Sequence, residues 1–320
     1  MALLTALAID EARALGRLFG VEVEALRPIA RGSVNSNFEL GLAGGKKAFL
    51  RIYEESDHDA VVTQNRLLRH LVEHGVPTPA PLKRDNGGTV AEHAGKPVVL
   101  FPFCEGDFVC QRAVDARRLD IVGRALATIH RAGEDYADAP PNRFGPDALR
   151  DRITALRARP LPSELARTVE SLAERLTAIT ASQETVIHGD VFRDNVLWRD
   201  DGSLSAIVDF ESASCGSAAF DLMVTLLAWC FTDRLDVTLA RALVNAYEAV
   251  RPLDPDELAA CYPEARAACV RFGITRITDY ELRPRDVVVH KDYRRFVGRL
   301  EALEAIGERH FAAWLRGTAS

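Results

Sequence analysis

The run His188-Gly189-Asp190-Val191-Phe192-Arg193-Asp194-Asn195 sets a carboxylate and a side-chain amide five positions apart, and Asp209-Phe210 follows downstream. Phosphoryl transfer asks a protein for little covalent chemistry; it asks for an aimed acceptor and for neutralised phosphate charge. Asp190 suits the base that orients an acceptor hydroxyl and takes its proton. Asn195 and Asp209 offer the oxygen ligands that a hard cation such as Mg2+ takes against nucleotide phosphates. The paired spacing, H-x-D with Asn five residues after the Asp and a later D-F, is a phosphoryl-transfer signature. The plain alternative is a polar hairpin whose Asp and Asn residues only make turns. Two motifs in order, flanking one predicted hairpin, weigh against it. His188 reads as a structural hydrogen-bonding residue, and Asp221 as a buttress of the loop or an ordinary helix-start acid.

Such chemistry also needs a nucleotide cradle. Ala30–Phe38 lies between two predicted strands, and its small residues Gly32, Ser33, Asn35 and Asn37 could present backbone N–H groups to phosphates. An ordinary hairpin loop is the competing reading. Arg51, on the third predicted strand, is the candidate phosphate cation; it could form a weaker hydrogen-bonded pair with Gln64 of the following helix, guanidinium and ammonium not being equivalent there, and a solvated strand Arg with an ordinary helix Gln is the equal alternative. Phe101–Gly106 ends the strand-rich part, and the backbone around Phe103 could meet an adenine edge.

Those residues must be placed by a fold. A helix is expected over 11–19, then strands at Leu26–Ala30, Asn37–Leu42 and Lys47–Tyr53, the last two separated by Gly44-Gly45. Helical periodicity returns over 59–74, with Val61, Leu68 and Leu71 on one stripe. Strands are expected at Ala80–Lys83 and Thr89–His93, with an apolar run at Pro97–Phe103. Helices follow at 113–132 and at 147–182, the latter broken near Pro160-Leu161-Pro162. The strands Thr185–Ile187 and Ala206–Phe210 bracket the polar segment. From Ala219 the chain reads helical, with breaks near 251–256 and 283–286. Segregated strands and helices predict an α+β, two-lobed fold, with a small strand-rich lobe over 1–103 and a larger helical lobe over 104–320. Ligands commonly bind between such lobes.

Composition narrows the class. The 320 residues carry 40 basic and 46 acidic side chains, a formal charge of −6, so neither nucleic acid nor an acidic membrane is an expected partner. No basic n-region opens the chain and no 18-residue apolar run occurs, which points to a cytoplasmic protein. Six scattered cysteines without metal-type spacing fit reduced thiols. A metal-dependent hydrolase built on His188, Asp190 and Asp209 would want further histidine ligands at suitable spacing, which His130 and His290 do not offer.

HGDVFRDN, VDFE and Phe220-Asp221-Leu222 together resemble the aminoglycoside-phosphotransferase and choline-kinase superfamily, closest to the bacterial homoserine kinases of that fold. Gly32–Phe38, Leu226–Cys230, Tyr247–Pro252, Ala268–Phe272 and Arg276 extend the likeness over nearly the whole chain. The resemblance implies a protein-kinase-like fold and ATP- and Mg2+-dependent phosphorylation of a small hydroxylated acceptor, homoserine first. Kinases of aminoglycoside or choline type, and a nucleotide-binding module without turnover, are the alternatives. On that likeness Asp190 is the base, and Asn195 and Asp209 hold the metal. The sequence departs from the pattern at Asp-Phe-Glu-Ser, where an aromatic residue and Asn are usual, so Glu211 could select a different amine. A zwitterionic acceptor needs an anion and a cation: Asp194, Glu211 and Asp279 are candidates for its ammonium, Arg193 and Arg276 for its carboxylate.

Overall fold

A computed structural model describes residues 4–29, 34–176, 184–283 and 291–317. These divide into two compact units, one of residues 4–107 with 197–208, the other of 108–196, 209–283 and 291–317.

The first unit begins with helix α1 (Ile9–Leu18), then strands β1 (Val23–Ile29), β2 (Ser36–Leu42) and β3 (Lys47–Ile52), helix α2 (His58–Glu73), and strands β4 (Ala91–His93) and β5 (Lys96–Pro102). The five strands form an antiparallel sheet in the order β1-β2-β3-β5-β4. Alternation decides the buried face: β3 turns Ala48, Leu50 and Ile52 inward, where they join Phe38, Leu40, Val98 and Leu100 with Ala12 and Leu15 of α1. The α2 stripe Val61, Leu68, Leu71 is buried as its period predicts, and Asp57 caps the helix by accepting from the Ala60 amide at 2.8 Å.

One local expectation fails in this unit. Residues 80–83 form no strand; a single bond from the Leu82 amide to the Leu100 carbonyl, 2.8 Å, ties them to the sheet. With Pro79 and Pro81 lacking N–H groups, a ladder cannot form there. Helix α2 buries Asn65, whose amide donates to Thr89 Oγ1 at 2.9 Å, while Gln64 stays half-buried.

The second unit carries α3 (Ala116–Gly133), α4 (Pro146–Arg157), α5 (Ser163–Arg175), β6 (Glu184–Ile187), β9 (Ser214–Ser217), α6 (Ala218–Trp229), α7 (Val237–Glu248), α8 (Pro255–Arg276), α9 (Arg294–Ile306) and α10 (Glu308–Leu315). The break predicted at Pro160–Pro162 separates α4 from α5. Helix α6 is buried on all sides, so it is apolar all round apart from Asp221 and Thr225. Helices α3 and α7 meet at Gly123, where a Cβ would lie 2.5 Å from the Leu243 carbonyl oxygen.

The predicted hairpin is differently paired. Strand β6 pairs with β9, and the short β7 (Val196–Trp198) pairs with β8 (Leu204–Ile207). The two predicted strands therefore belong to two ladders, each with a partner too short to read from alternation. Phe210 leaves its predicted strand to open a 3-10 turn, Phe210–Ser212. A further break, Cys230–Asp236, separates α6 from α7, and the predicted break at 283–286 lies mostly outside the described residues. Among the described residues no helix is long and apolar enough to cross a membrane.

Candidate active site

The catalytic-loop residues named from the sequence all belong to the second unit. The loop leaves β6 and turns at Gly189, whose φ of +73° favours glycine and whose added Cβ would stand 3.2 Å from the Ser212 carbonyl oxygen. Asp221, at the start of α6, gathers the turn from below: Oδ2 accepts the His188 amide at 2.7 Å and Oδ1 the Gly189 amide at 2.9 Å. The buttress reading of Asp221 is the correct one. His188 is fully buried, its Nδ1 accepting the Asp190 amide at 3.2 Å, which is a structural task.

Asn195 folds back over the base. Its Nδ2 donates to the Asp190 carbonyl oxygen at 2.8 Å and to Asp190 Oδ2 at 3.1 Å. The amide nitrogen is thus committed to Asp190, which leaves the amide oxygen as the atom that could serve a cation. Asp209 stands at the N-terminal edge of the 3-10 turn in the left-handed region, φ 70° and ψ 58°. Non-glycine residues are rarely held there, and such conformations cluster at functional positions.

Charges around Asp190 set its proton affinity. Burial pushes its carboxyl up to about 7; Lys291 and Arg271 oppose the rise, and Asp209 and Asp194 add to it. A carboxylate poised near neutrality is what proton abstraction from an alcohol requires. Asp221 behaves oppositely: burial works against its charge, but the His130 hydrogen bond and the surrounding donors hold its carboxyl below the ordinary range.

Two cations here escaped the sequence reading. Arg271, 5% exposed, donates from Nη1 to the Gly189 carbonyl oxygen, and burial lowers its guanidinium to about 10. Only its membership of the Ala268–Phe272 stretch hinted at it. Lys291 lies 3.6 Å from Asp194 Oδ2; burial would lower its ammonium, but the charges of Asp194, Tyr280 and Asp190 hold it above the ordinary range. Nothing in its local sequence marked it.

The acceptor candidates are distributed unevenly. Asp194 is exposed and paired with Lys291. Arg276 rests on the Phe296 ring at 4.5 Å and donates to the Asp292 carbonyl oxygen at 2.9 Å, and its guanidinium, lowered by burial, feels the charges of Asp190 and Asp194. Arg193 donates to Gln111 Oε1. Glu211 is half-buried within the turn after Asp209. Asp279 is taken by Arg152 at 2.7 Å and by Thr278 at 2.8 Å, which makes it a structural partner. Trp229 is core, its Nε1 donating to the Val191 carbonyl oxygen at 2.8 Å.

In the first unit, three predicted nucleotide residues are linked on β2, β3 and the approach to them. Arg51 faces Asn37 across the ladder, and its Nε donates to Asn37 Oδ1 at 3.0 Å. Asn37 Nδ2 donates to the Asn35 carbonyl oxygen at 3.3 Å, and Asn35 Oδ1 accepts the Glu54 amide at 3.1 Å. Asn37 on the neighbouring strand is thus one partner of Arg51. Phe103 follows β5 with the Lys47 ammonium 5.0 Å from its ring centroid. Gly32 and Ser33 lie outside the described residues.

The chain belongs to the phosphotransferase enzyme family, whose pattern it matches over residues 25–261. It is a small-molecule kinase of the protein-kinase-like fold, with an antiparallel sheet first and helices after it. Within that class it is 34% identical over 290 residues to a homoserine kinase of Beijerinckia indica, covering 88% of this chain and 89% of that one. A homoserine kinase of Bradyrhizobium diazoefficiens is 35% identical over 322 residues, covering 96% and 95%. Among solved structures, an amicoumacin kinase in complex with AMP-PNP and Ca2+ superposes with a TM-score of 0.69 at 15% identity, covering 94% of this chain and 93% of that one. A spectinomycin phosphotransferase does so with a TM-score of 0.66 at 12% identity, covering 98% and 99%.

Proposed function

We propose that the chain transfers the terminal phosphoryl group of ATP to the side-chain hydroxyl of L-homoserine. The hydroxyl oxygen forms a bond to the terminal phosphorus, the bond from that phosphorus to the bridging oxygen breaks, ADP leaves, and the hydroxyl proton passes to Asp190. The observation that carries this reading is the held geometry of Asp190: Asn195 donates to its carbonyl oxygen and to its Oδ2, and Asp221 fixes the preceding His188 and Gly189 amides. That is the local order a base for an alcohol needs.

The donor set suits a hard divalent cation. The Asn195 amide oxygen and the Asp209 carboxylate would hold Mg2+, with nucleotide phosphates and water completing its shell. When bound, the metal supplies neutralisation of phosphate charge. On the first unit, Asn35, Asn37, Arg51 and the backbone near Phe103, with Gly32 and Ser33, are the proposed nucleotide contacts.

The acceptor reading follows from charge. Lys291 and Arg276 act electrostatically on Asp190, and so do the acids Asp194 and Asp209. Charges of both signs suit a zwitterionic acceptor over one that carries only positive charge, as a choline- or aminoglycoside-type alcohol does. Arg276 and Arg193 remain the proposed carboxylate contacts, joined by Lys291, and Asp194 and Glu211 the ammonium contacts. Relatives named homoserine kinase, about a third identical over nearly the whole chain, support the same acceptor. The six cysteines are free, as suits a cytoplasmic enzyme drawing on cellular ATP. An ADP-release assay over homoserine, threonine, serine, choline and an aminoglycoside tests the reading; turnover with choline or the aminoglycoside but none with homoserine would reject it.

A further inference from the structure

The carboxylate that holds the catalytic loop is itself held from behind. His130 Nε2 lies 3.1 Å from Asp221 Oδ2, and His130 Nδ1 lies 2.7 Å from the Tyr247 hydroxyl. Arg251 Nη1 donates to that same hydroxyl at 3.2 Å. Arg251 is fixed in turn by Glu257, which accepts from Nη1 at 3.1 Å and from Nη2 at 2.8 Å. Glu257 is locked by the start of α8, where its Oε2 accepts the Asp254 amide at 3.1 Å and Asp254 Oδ1 accepts the Glu257 amide at 2.7 Å. His130, Asp221 and Tyr247 are 0% exposed, so no bulk solvent competes at that end of the line; Glu257 is 2% and Arg251 6% exposed, and Arg251 Nε also donates to Glu134 Oε1 at 2.9 Å, beside an open cavity.

The inventory of donors gives this line a direction. Arginine only donates, so the Tyr247 oxygen accepts from Arg251. Its own proton then points to His130 Nδ1, which must accept. His130 is left with its proton on Nε2, directed at Asp221. Asp221 closes the line by accepting the two loop amides of His188 and Gly189. A buried polar network in which every member has its role assigned is rigid, and each bond polarises the next. A ring protonated on Nδ1 would set a donor against the Tyr247 hydroxyl proton and turn a bare nitrogen towards a carboxylate.

We propose that Tyr247 and Arg251 are positioning residues for phosphoryl transfer: they select the Nε2–H tautomer of His130, which orients Asp221 and thereby the loop that presents Asp190. The proposal rests on the reading of Asp190 as the base. Tyr247 and Arg251 touch no reacting atom and belong to α7 and the turn after it. Had the network served stability alone, its members would need satisfying but not ordering, and loss of one hydroxyl would lower the melting temperature without a selective effect on turnover.

Two measurements decide it. Histidine side-chain nitrogen shifts of the 15N-labelled, unsubstituted protein at pH 7.5 report the His130 tautomer directly. A protonated Nε2 with a hydrogen-bonded, bare Nδ1 is expected; an Nδ1–H or doubly protonated ring overturns the proposal. In steady-state assays with ATP, magnesium and homoserine, Tyr247→Phe is expected to lower kcat about tenfold while both KM values hold within about twofold. Arg251→Lys, which keeps charge but loses the fork, is expected to fall between that variant and the parent. An unchanged kcat in Tyr247→Phe, or a loss matched by raised KM values, overturns it. The two readings fail separately: absence of homoserine turnover by the unsubstituted protein rejects the proposed reaction, and the tautomer measurement then still decides the relay.

Discussion

Arg271 donates from Nη1 to the carbonyl oxygen of Gly189 at 2.5 Å, one residue before Asp190. Its guanidinium lies 4.4 Å from the Phe144 ring centroid and 4.6 Å from that of Phe272, so a buried cation is carried on aromatic faces to the back of the catalytic loop. One side chain thus steadies the turn and opposes the rise in Asp190's proton affinity. An ammonium cannot combine the planar stacking with the directed donation. Arg271→Lys is therefore expected to cost about tenfold or more in kcat, with a lower melting temperature. Steady-state kinetics and thermal denaturation of the same preparation check both.

Asp190→Asn keeps the shape and removes the base. Turnover is expected to fall by about 10² to 10⁴, while titration with a non-hydrolysable nucleotide shows binding within a few-fold of the parent. Retained turnover would remove Asp190 from the role given to it here.

The pH dependence follows from the same carboxyl. A base works ionised, so kcat/KM is expected to rise with pH through about 7 and level above it. Stability runs the other way. The folded state holds this proton more tightly than the unfolded chain, whose carboxyl ionises near the ordinary 3.8, so Asp190's contribution declines as pH rises between those values. Asp190→Asn is accordingly expected to melt higher than the parent at pH 8, with the gap closing towards pH 5. A parent more stable than the variant at pH 8 contradicts the burial account.

Lys291 bears on acceptor choice. Lys291→Gln is expected to raise KM for homoserine by about tenfold or more, the worth of one charge-assisted hydrogen bond, and to leave KM for ATP unchanged. An equal rise in both KM values would argue for a general effect on the loop and against carboxylate recognition.

Chelation of divalent ions is expected to abolish turnover and added magnesium to restore it. Asp209→Asn, which removes the formal charge from one of the two proposed ligands, is expected to raise the magnesium concentration needed for half-maximal rate. An unchanged magnesium dependence would take Asp209 out of the metal site.

Much of this was legible in the sequence because it is local. The strands of the first unit, the α2 stripe and the break at Pro160–Pro162 follow from periodicity and from proline's missing N–H, which act within a few residues. Asp190 and Asn195 also belong to local chemistry: five residues of one loop suffice for the amide to fold back on the carboxylate, and the sequence states that spacing outright. Residues 80–83 do not become the strand expected of them because Pro79 and Pro81 deny the segment a ladder.

What the tertiary structure decided lies far apart along the chain. The β6–β9 and β7–β8 pairings replace the expected hairpin, since four strands of three or four residues carry too little pattern to name their partners. Arg271 meets Gly189 across 82 positions, and His130 meets Asp221 across 91 and Tyr247 across 117. No spacing rule reaches that distance. Sequence determined which groups could move a phosphoryl group, because functional-group chemistry travels with residue type. The packed helices determined how tightly Asp190 keeps its proton, because burial and the nearness of Lys291 and Arg271 exist only once the chain has folded.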